Sequence, residues 1–324
     1  MKKSDILLLL FLSMVWGTSG LLLRIVAPVT GISLTIGTRL MVAALVLILV
    51  SSLTGQFPDF KKRWKAYLFL GAFNIVIPFA LVTYTIMELN ASYAAILGAT
   101  TPLFTVGAAR YWMNEKITFN KIAGIFISIA GLVVFIVTNP YAAHANFWLA
   151  VLAGLGGSFF YAVSSVYANI KFKGSSPVQT VGGQLIMASV MVLPFMFANF
   201  QPVLLSPGIL IPLLVLAVIC TAGGYILYFK LIASAGSVQA SFVTILVPIF
   251  SVLWASIFLH EKITSIMLLG LAFVLLGIFL VVYKKSRRYA AVLKPIRGAK
   301  YFGELSTNSE KLIKLKSSNL VLEK

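Results

Sequence analysis

Residues that could carry out covalent or metal chemistry are few in this sequence and lie far apart. Cys220 is the single cysteine, which excludes disulfides and cysteine metal clusters within the chain. The two histidines, His144 and His260, fall between apolar segments rather than inside them. Neither a phosphate-binding loop of the ATPase type nor a paired-Asp or Ser/His arrangement is present. We therefore expect no enzymatic activity, no bound metal and no cofactor.

Charged residues inside apolar segments often mark the working site of a membrane protein, because their burial costs free energy. Glu88 is the only acidic residue well within reach of such a segment, so it is the candidate titratable group. Arg39 lies about two helical turns into a segment and leans toward its outer end, so we expect it to snorkel to the membrane surface. The same is expected of Arg24, Arg110 and Lys230, which lie near segment ends.

Aromatic and small polar residues within the apolar segments could line a binding cavity. Aromatic rings stack on organic compounds, and polar tips and hydroxyls hydrogen-bond to them. Such a cavity suits a zwitterion or a neutral aromatic metabolite, although the rings could equally hold an organic cation. Packing between helices or within the core is the competing interpretation of the same residues. The candidate cavity residues are Trp16, Ser19, Asn74, Tyr84, Thr101, Tyr161, Ser165, Tyr225, Tyr228 and Thr244.

Membrane helices are the elements that must position these residues. The chain is 60% hydrophobic and 10% charged, with a mean hydropathy of +1.00, whereas a soluble domain has about a quarter charged residues. A helix needs about 17–25 apolar residues to cross a bilayer. A secretory signal peptide is an alternative for the first segment, but its apolar run continues without a clear cleavage site. We predict an all-α integral membrane protein with ten spans at 5–27, 31–51, 65–87, 91–112, 119–138, 147–169, 177–198, 209–232, 237–259 and 263–283.

The distribution of Lys and Arg among the loops predicts the orientation of the chain. With the amino terminus inside, the cytoplasmic loops hold the basic clusters at 61–65, 116–121 and 171–173, together with the basic tail. The opposite loops contain little beyond Lys262. Both termini are therefore expected in the cytoplasm, which agrees with an even number of spans.

Two nearly identical pentapeptides, NEKIT at 114–118 and HEKIT at 260–264, indicate an internal duplication. An offset of 146 matches the surrounding residues without a gap, and an offset of 145 aligns spans 1–2 with spans 6–7. Self-similarity at a fixed offset is typical of repeated architecture. The matched positions include Ala94/Ala240, Pro102/Pro248, Phe104/Phe250, Gly124/Gly270, Gly131/Gly277, Trp16/Tyr161, Ser19/Ser164, Thr35/Thr180 and Gly37/Gly182.

An odd number of spans in each half makes the second half inverted in the membrane relative to the first. The predicted domains are a five-span repeat at 1–138, an inverted five-span repeat at 147–283 and a basic cytoplasmic tail at 284–324. Inverted repeats are typical of secondary transporters with a site near the bilayer midplane. Pro102 and Pro248 could act as gate hinges, since proline removes a backbone hydrogen bond, although a static bend is the alternative. The matched glycines are expected to serve close helix packing.

Several segments resemble a known family: MVWGTSG at 14–20, TRLMVAALVLIL at 38–49, and 91–136 with its copy at 236–282. The pattern is similar to the ten-span EamA-like branch of the drug/metabolite transporter superfamily. This resemblance implies a carrier of small metabolites, and members of the family move amino acids, nucleotide-like metabolites, vitamins and organic cations. The small four-span exporters of the superfamily use a central Glu in their first span, where this chain has Trp16.

The expected function is alternating-access transport, with export of amino acids or related small organic metabolites. The alternative is a proton-coupled exporter of organic cations or drugs, which the lack of acids within the core of spans 1 and 6 disfavours. The expected partners are a small-molecule substrate and the bilayer of a plasma or bacterial inner membrane, and the oligomeric state stays open. The tail carries KKSRR at 284–288, which favours contact with anionic lipids over nucleic-acid binding.

Overall fold

The computed structural model describes residues 3–113, 118–137, 145–198, 206–235, 242–260 and 264–282. Glu115, Glu261, His144 and the predicted tail at 284–324 lie outside these described residues. Within the described ranges all regular structure is helical, as the composition predicts. Two segments have the wider turn of a π-helix, and each lies between two α-helices.

The helices follow one another through short connections. In chain order they are α1 (Lys3–Thr54), α2 (Phe60–Leu70), the first π segment (Gly71–Val76), α3 (Ile77–Glu88), α4 (Ala91–Gly98), α5 (Thr101–Met113), α6 (Phe119–Val137), α7 (Phe147–Lys171), α8 (Pro177–Ala198), α9 (Pro207–Val215), the second π segment (Leu216–Gly223), α10 (Gly224–Ala235), α11 (Phe242–Leu259) and α12 (Ser265–Val282).

Helix α1 is a helical hairpin rather than one straight rod. Gly31 has φ 72° and ψ 168°, a conformation outside the helical region that a glycine tolerates. Arg39 and Ser19, 20 residues apart, are joined by a hydrogen bond of 3.3 Å, whereas a straight helix would separate them by about 30 Å. The chain therefore reverses direction at Gly31, the first residue of the second predicted span.

Among the described residues, five helical stretches are long and apolar enough to cross a bilayer: Lys3–Thr54, Phe60–Glu88, Phe147–Lys171, Pro177–Ala198 and Pro207–Leu231. Large apolar side chains such as Leu45, Phe126 and Leu152 point outward and are exposed. An outward apolar surface is what a lipid environment requires, because lipid tails are as apolar as leucine. The count of ten spans and the sides of the termini stay predictions.

Helices α6 and α12 pack against each other through the four glycines that the duplication matches. A Cβ added at Gly131 would lie 2.8 Å from Gly270 O, and one added at Gly277 would lie 2.4 Å from Gly124 O. The later glycine of each helix thus contacts the earlier glycine of the other, so the two helices run antiparallel. The predicted packing role of these glycines is confirmed.

Short polar contacts fix the helix ends around this core. The Asp59 carboxylate accepts a hydrogen bond from Lys62 N and caps α2, and the Asn90 side chain caps α4. The Arg24 guanidinium donates to two carbonyls at the end of α3, those of residues 86 and 87. Arg24 therefore holds a helix terminus instead of snorkelling, whereas Arg110 and Lys230 are exposed as expected.

Candidate functional site

An aromatic cluster forms where α1 meets α10. The Trp16 ring centroid lies 5.7 Å from that of Tyr225 and 5.1 Å from that of Tyr228, within the range of favourable ring contacts. Space for the indole exists because residue 224 is a glycine, where an added Cβ would lie 2.5 Å from Trp16 Nε1. Three of the predicted cavity residues are thus brought together from opposite ends of the sequence.

The two π segments supply carbonyl acceptors to this aromatic cluster. A π turn leaves backbone groups outside the regular helical ladder, and such turns frequently occur at functional sites. In the second π segment, Cys220 O accepts the Trp16 indole N–H at 3.0 Å. In the first, Asn74 O accepts the Tyr225 hydroxyl at 3.3 Å. The cluster is therefore held to both segments, and these begin 145 positions apart, at the offset of the duplication.

Arg39 is buried beside this cluster, so the expectation that it snorkels to the surface was wrong. Its side chain is 5% exposed, and Nε donates to Thr221 Oγ1 at 2.7 Å. Thr221 in turn donates its own proton to Leu216 O at 2.7 Å, which leaves its lone pairs for the arginine. Nη2 donates to Ser19 Oγ at 3.3 Å, and the guanidinium carbon lies 4.2 Å from the centroid of the Phe79 ring.

From its position two turns into a span, Arg39 was expected to extend its side chain to the membrane surface. In the structure, the hairpin at Gly31 folds Ser19 back onto Arg39 and the second π segment supplies Thr221. The guanidinium donates its hydrogen bonds to these hydroxyls inside the bundle and does not extend to the membrane surface. Burial of an ion still costs several kcal/mol unless it is well compensated. Two hydroxyls and one ring therefore hold a full positive charge inside the helix bundle.

A neutral amide network is joined to Tyr225 through the carbonyl of Asn74. Asn74 Nδ2 donates to Gln184 Oε1 at 3.0 Å, and Ser164 Oγ donates to Asn74 Oδ1 at 2.9 Å. Gln184 is fully buried, and its Nε2 has no hydrogen-bond partner among the described residues. Tyr161 packs in the same apolar cluster as Tyr225, which joins a further predicted residue to the site.

Arg39 and Gln184 occupy matching places in the two halves, 145 positions apart. Ser19 and Ser164 are related by the same offset, and each lies in one of the two polar groups. The site therefore has two equivalent polar groups that differ in charge. One carries a guanidinium and the other an amide.

Other predicted site residues are not part of this constellation. The hydroxyls of Thr101 and Ser165 each donate to the carbonyl three residues earlier, which for Thr101 is at the end of α4 and for Ser165 is within α7, a local bond that Ser and Thr commonly make. Tyr84 packs against a different apolar cluster, around Leu89, and Glu88 Oε2 accepts a hydrogen bond from the Asn146 amide at 3.2 Å. The side chain of Thr244 lies outside the described part of the chain.

The two candidate hinge prolines occupy different settings. Pro102 is buried at the second position of α5, directly after a two-residue turn that separates α4 from α5. Pro248 is buried inside α11, which continues past it. One proline thus begins a new helix and the other lies within a continuous one. Their role as gate hinges stays a prediction.

Cofactor and metal chemistry find no support in the described part of the chain. No three side chains of His, Cys, Asp or Glu lie together there in a way that could hold a metal ion. Cys220 is buried in the second π segment, where its thiol contacts Val15 O at 3.4 Å. What the site offers chemically is aromatic surface, hydroxyl and amide groups and one fixed cation, which suits binding of an organic compound.

The family profile described as the EamA-like transporter family matches residues 3–137 and again residues 148–283. This chain belongs to the EamA-like transporter family. It is accordingly a multi-pass membrane transporter and not an enzyme, and the predicted resemblance is confirmed.

Two relatives are distant in sequence but are matched over nearly their whole length. The "Uncharacterized transporter YvbV" of Bacillus subtilis is 26% identical over 90% of this chain and 96% of its own length. The "Probable amino-acid metabolite efflux pump" of Escherichia coli is 21% identical over 87% of this chain and 96% of its own. A solved structure titled "Crystal structure of protein" covers 87% of this chain and 98% of its own, with a TM-score of 0.63 at 14% identity. That last likeness concerns the fold alone.

Proposed function

We propose that this EamA-like transporter is a secondary carrier that exports amino acids or related small organic metabolites by alternating access. The observation that carries the proposal is the meeting of aromatic rings, hydroxyls and one buried cation between α1, α10 and the two π segments. Trp16, Tyr225 and Tyr228 offer ring surface, and Arg39 offers charge-assisted donors. Pockets for organic compounds combine apolar walls with a few placed polar groups in this way.

Alternating access requires two halves that can move against each other around one site. We propose ten spans in two five-span repeats, 1–138 and 147–283, the second inverted relative to the first, with both termini in the cytoplasm. Three observations support this arrangement. The family profile matches twice, the π segments repeat at the offset of 145, and the matched glycines of α6 and α12 meet in an antiparallel, reciprocal contact.

The proposed cargo rests on the polar groups of the site and on one relative. The Escherichia coli protein is named a probable amino-acid metabolite efflux pump, and a zwitterion matches a site that has both a cation and aromatic rings. A proton-coupled exporter of organic cations is less well supported, because Arg39 would repel a positive substrate and Glu88 lies with Asn146 instead of beside the rings. The basic tail at 284–324 is proposed to contact anionic lipids on the cytoplasmic face of a plasma or bacterial inner membrane.

The test is counterflow in proteoliposomes. Vesicles are loaded with one unlabelled compound, and entry of its labelled form is followed for aromatic and small amino acids, nucleosides and organic cations. We expect exchange of amino acids without an imposed proton gradient, and loss of that exchange in Trp16→Ala. Trp148→Ala is the matched control, because Trp148 is 62% exposed on α7. Exchange confined to cations, or equal activity in both tryptophan variants, would contradict the proposal.

A further inference from the structure

Arg39 is a buried cation whose partners among the described residues are neutral. Its hydrogen bonds go to the hydroxyls of Thr221 and Ser19, and none goes to a carboxylate of the described residues. The described carboxylates have other partners: Asp5 accepts from Ser234 Oγ, Asp59 caps α2, and Glu88 accepts from the Asn146 amide. A buried ion is normally paired with an opposite charge, and Arg39 has no such pair among the described residues.

The guanidinium retains donors for such an anion. Arginine has five N–H groups in a planar fork that matches a carboxylate with two parallel hydrogen bonds. Only one bond from Nε and one from Nη2 go to described residues, so the N–H groups of Nη1 and one of Nη2 are left over. Thr221 and Ser19 hold the group in plane while the Phe79 ring covers it at 4.2 Å. The guanidinium is therefore already oriented before a carboxylate binds to its remaining N–H groups.

The same junction contains a second donor without an acceptor. Gln184 Nε2 is buried and has no hydrogen-bond partner among the described residues, while its Oε1 accepts from Asn74. The Asn74 carbonyl in turn accepts from Tyr225, which packs with Phe79 in one apolar cluster. A buried donor without an acceptor costs free energy that a ligand oxygen would recover.

We propose that Arg39 binds the carboxylate of the transported compound, so that a free carboxylate is the feature that substrates share. This assignment rests on the transport function proposed above and narrows its substrate class. Compounds that lack the acid, such as amides and amines of the same shape, are excluded because they leave the guanidinium unpaired. Organic cations are excluded further by repulsion between like charges in a site of low dielectric constant.

The first test compares three compounds of one shape in wild-type proteoliposomes: L-phenylalanine, L-phenylalanine amide and phenethylamine. We expect counterflow of the acid at least 10-fold faster than that of the amide or the amine, since hydrogen bonds to charged groups are worth roughly 10- to 100-fold in affinity. Equal exchange of the acid and the amide would overturn the assignment while leaving transport itself established.

The second test uses Arg39→Gln, which places in the first half the residue that the second half has at Gln184. We expect the half-saturating concentration of phenylalanine to rise roughly 10- to 100-fold and exchange of phenethylamine to increase. Arg110→Gln is the matched control, since Arg110 is exposed on α5, and Arg39→Lys should keep part of the affinity because it retains the charge. A merely structural arginine would lower exchange of all three compounds equally, which would refute the proposal.

A binding measurement separates this inference from the transport proposal. Phenylalanine and phenylalanine amide are added to the detergent-solubilised protein, and the unfolding temperature is followed through reaction of the buried Cys220 thiol with a fluorogenic maleimide. Stabilisation by the acid alone, lost in Arg39→Gln, supports the carboxylate site even where no compound is exchanged. No stabilisation by either compound together with no exchange would overturn both proposals, and a variant that does not fold leaves the wild-type comparison as the deciding result.

Discussion

Substitution of Gly277 by alanine is a sharp test of how the two halves meet. The glycine lies on α12 at the contact with α6, where an added Cβ would be 2.4 Å from Gly124 O and 2.2 Å from Ser128 Oγ. A serine side chain can rotate, but a backbone carbonyl of a helix cannot. The two helices must therefore separate by about 1 Å to restore an ordinary contact distance. Gly107→Ala is the matched control, because nothing lies within 4 Å of the Cβ added there in α5.

The two variants share one effect and differ in another. Replacing a helical glycine by alanine favours the helix by about 1 kcal/mol in both. Only Gly277→Ala also forces two packed elements apart, and overpacking of this kind costs about 1–3 kcal/mol. We therefore expect Gly277→Ala to be less stable than Gly107→Ala by about 1–3 kcal/mol. In domains of 150–250 residues each kcal/mol shifts Tm by about 2–4 °C, so the expected gap is several degrees.

The assay is thermal unfolding of the purified protein, with the reaction of Cys220 as the signal. That thiol is the only one in the chain and is 1% exposed in the folded protein, so it reacts when the bundle opens. Gly131→Ala should behave like Gly277→Ala, and the double variant should lose less than the sum, because the first substitution already separates the helices. Equal Tm values for Gly277→Ala and Gly107→Ala would refute the reciprocal contact and remove one support of the inverted repeat.

Three further predictions concern single side chains. Trp16→Phe removes the hydrogen bond to Cys220 O and should weaken substrate affinity in counterflow by up to about tenfold, and unchanged affinity would contradict the positioning of the indole. Glu88→Gln should leave exchange and its pH dependence unchanged, because Glu88 is hydrogen-bonded to Asn146 away from the rings. A loss of exchange in this variant would favour the alternative of proton coupling through this carboxylate. Asn90→Ala removes the cap of α4 and should cost about 0.5–2 kcal/mol in unfolding, read as a lower Tm, whereas an unaltered Tm would count against the cap.

Much of the fold could be predicted because it is determined by local features of the sequence. Long apolar runs predict membrane helices, and the close approach of α6 and α12 follows from four glycines at matching positions. The π segments could not be predicted in this way, since neither GAFNIV nor LAVICTAG has a composition that separates it from an ordinary helix. What distinguishes them is tertiary: carbonyls of these segments accept hydrogen bonds from Tyr225 and Trp16, residues distant in sequence.

The candidate site was predicted in part, and its hydroxyl residues were the hardest to assign. Aromatic residues must pack somewhere, so Trp16, Tyr225 and Tyr228 could be expected to meet. Hydroxyl groups are ambiguous, because a serine or threonine in a helix can satisfy itself on its own backbone, as Thr101 and Ser165 do. A stripe of small polar residues therefore indicates a face of a helix without indicating whether that face binds anything.

Comparison of the two halves with each other would have identified Arg39. Duplicated halves share many packing requirements, so a buried position at which one half alone carries a charge needs an explanation beyond packing. Ser19 and Ser164 are identical at the offset of 145, whereas Arg39 corresponds to Gln184 at that same offset. The second half folds with the neutral amide of Gln184 at this position. The positive charge in the first half is therefore not required for folding. Because burying that charge costs several kcal/mol, its presence is explained best by a ligand that is negative where it touches Arg39.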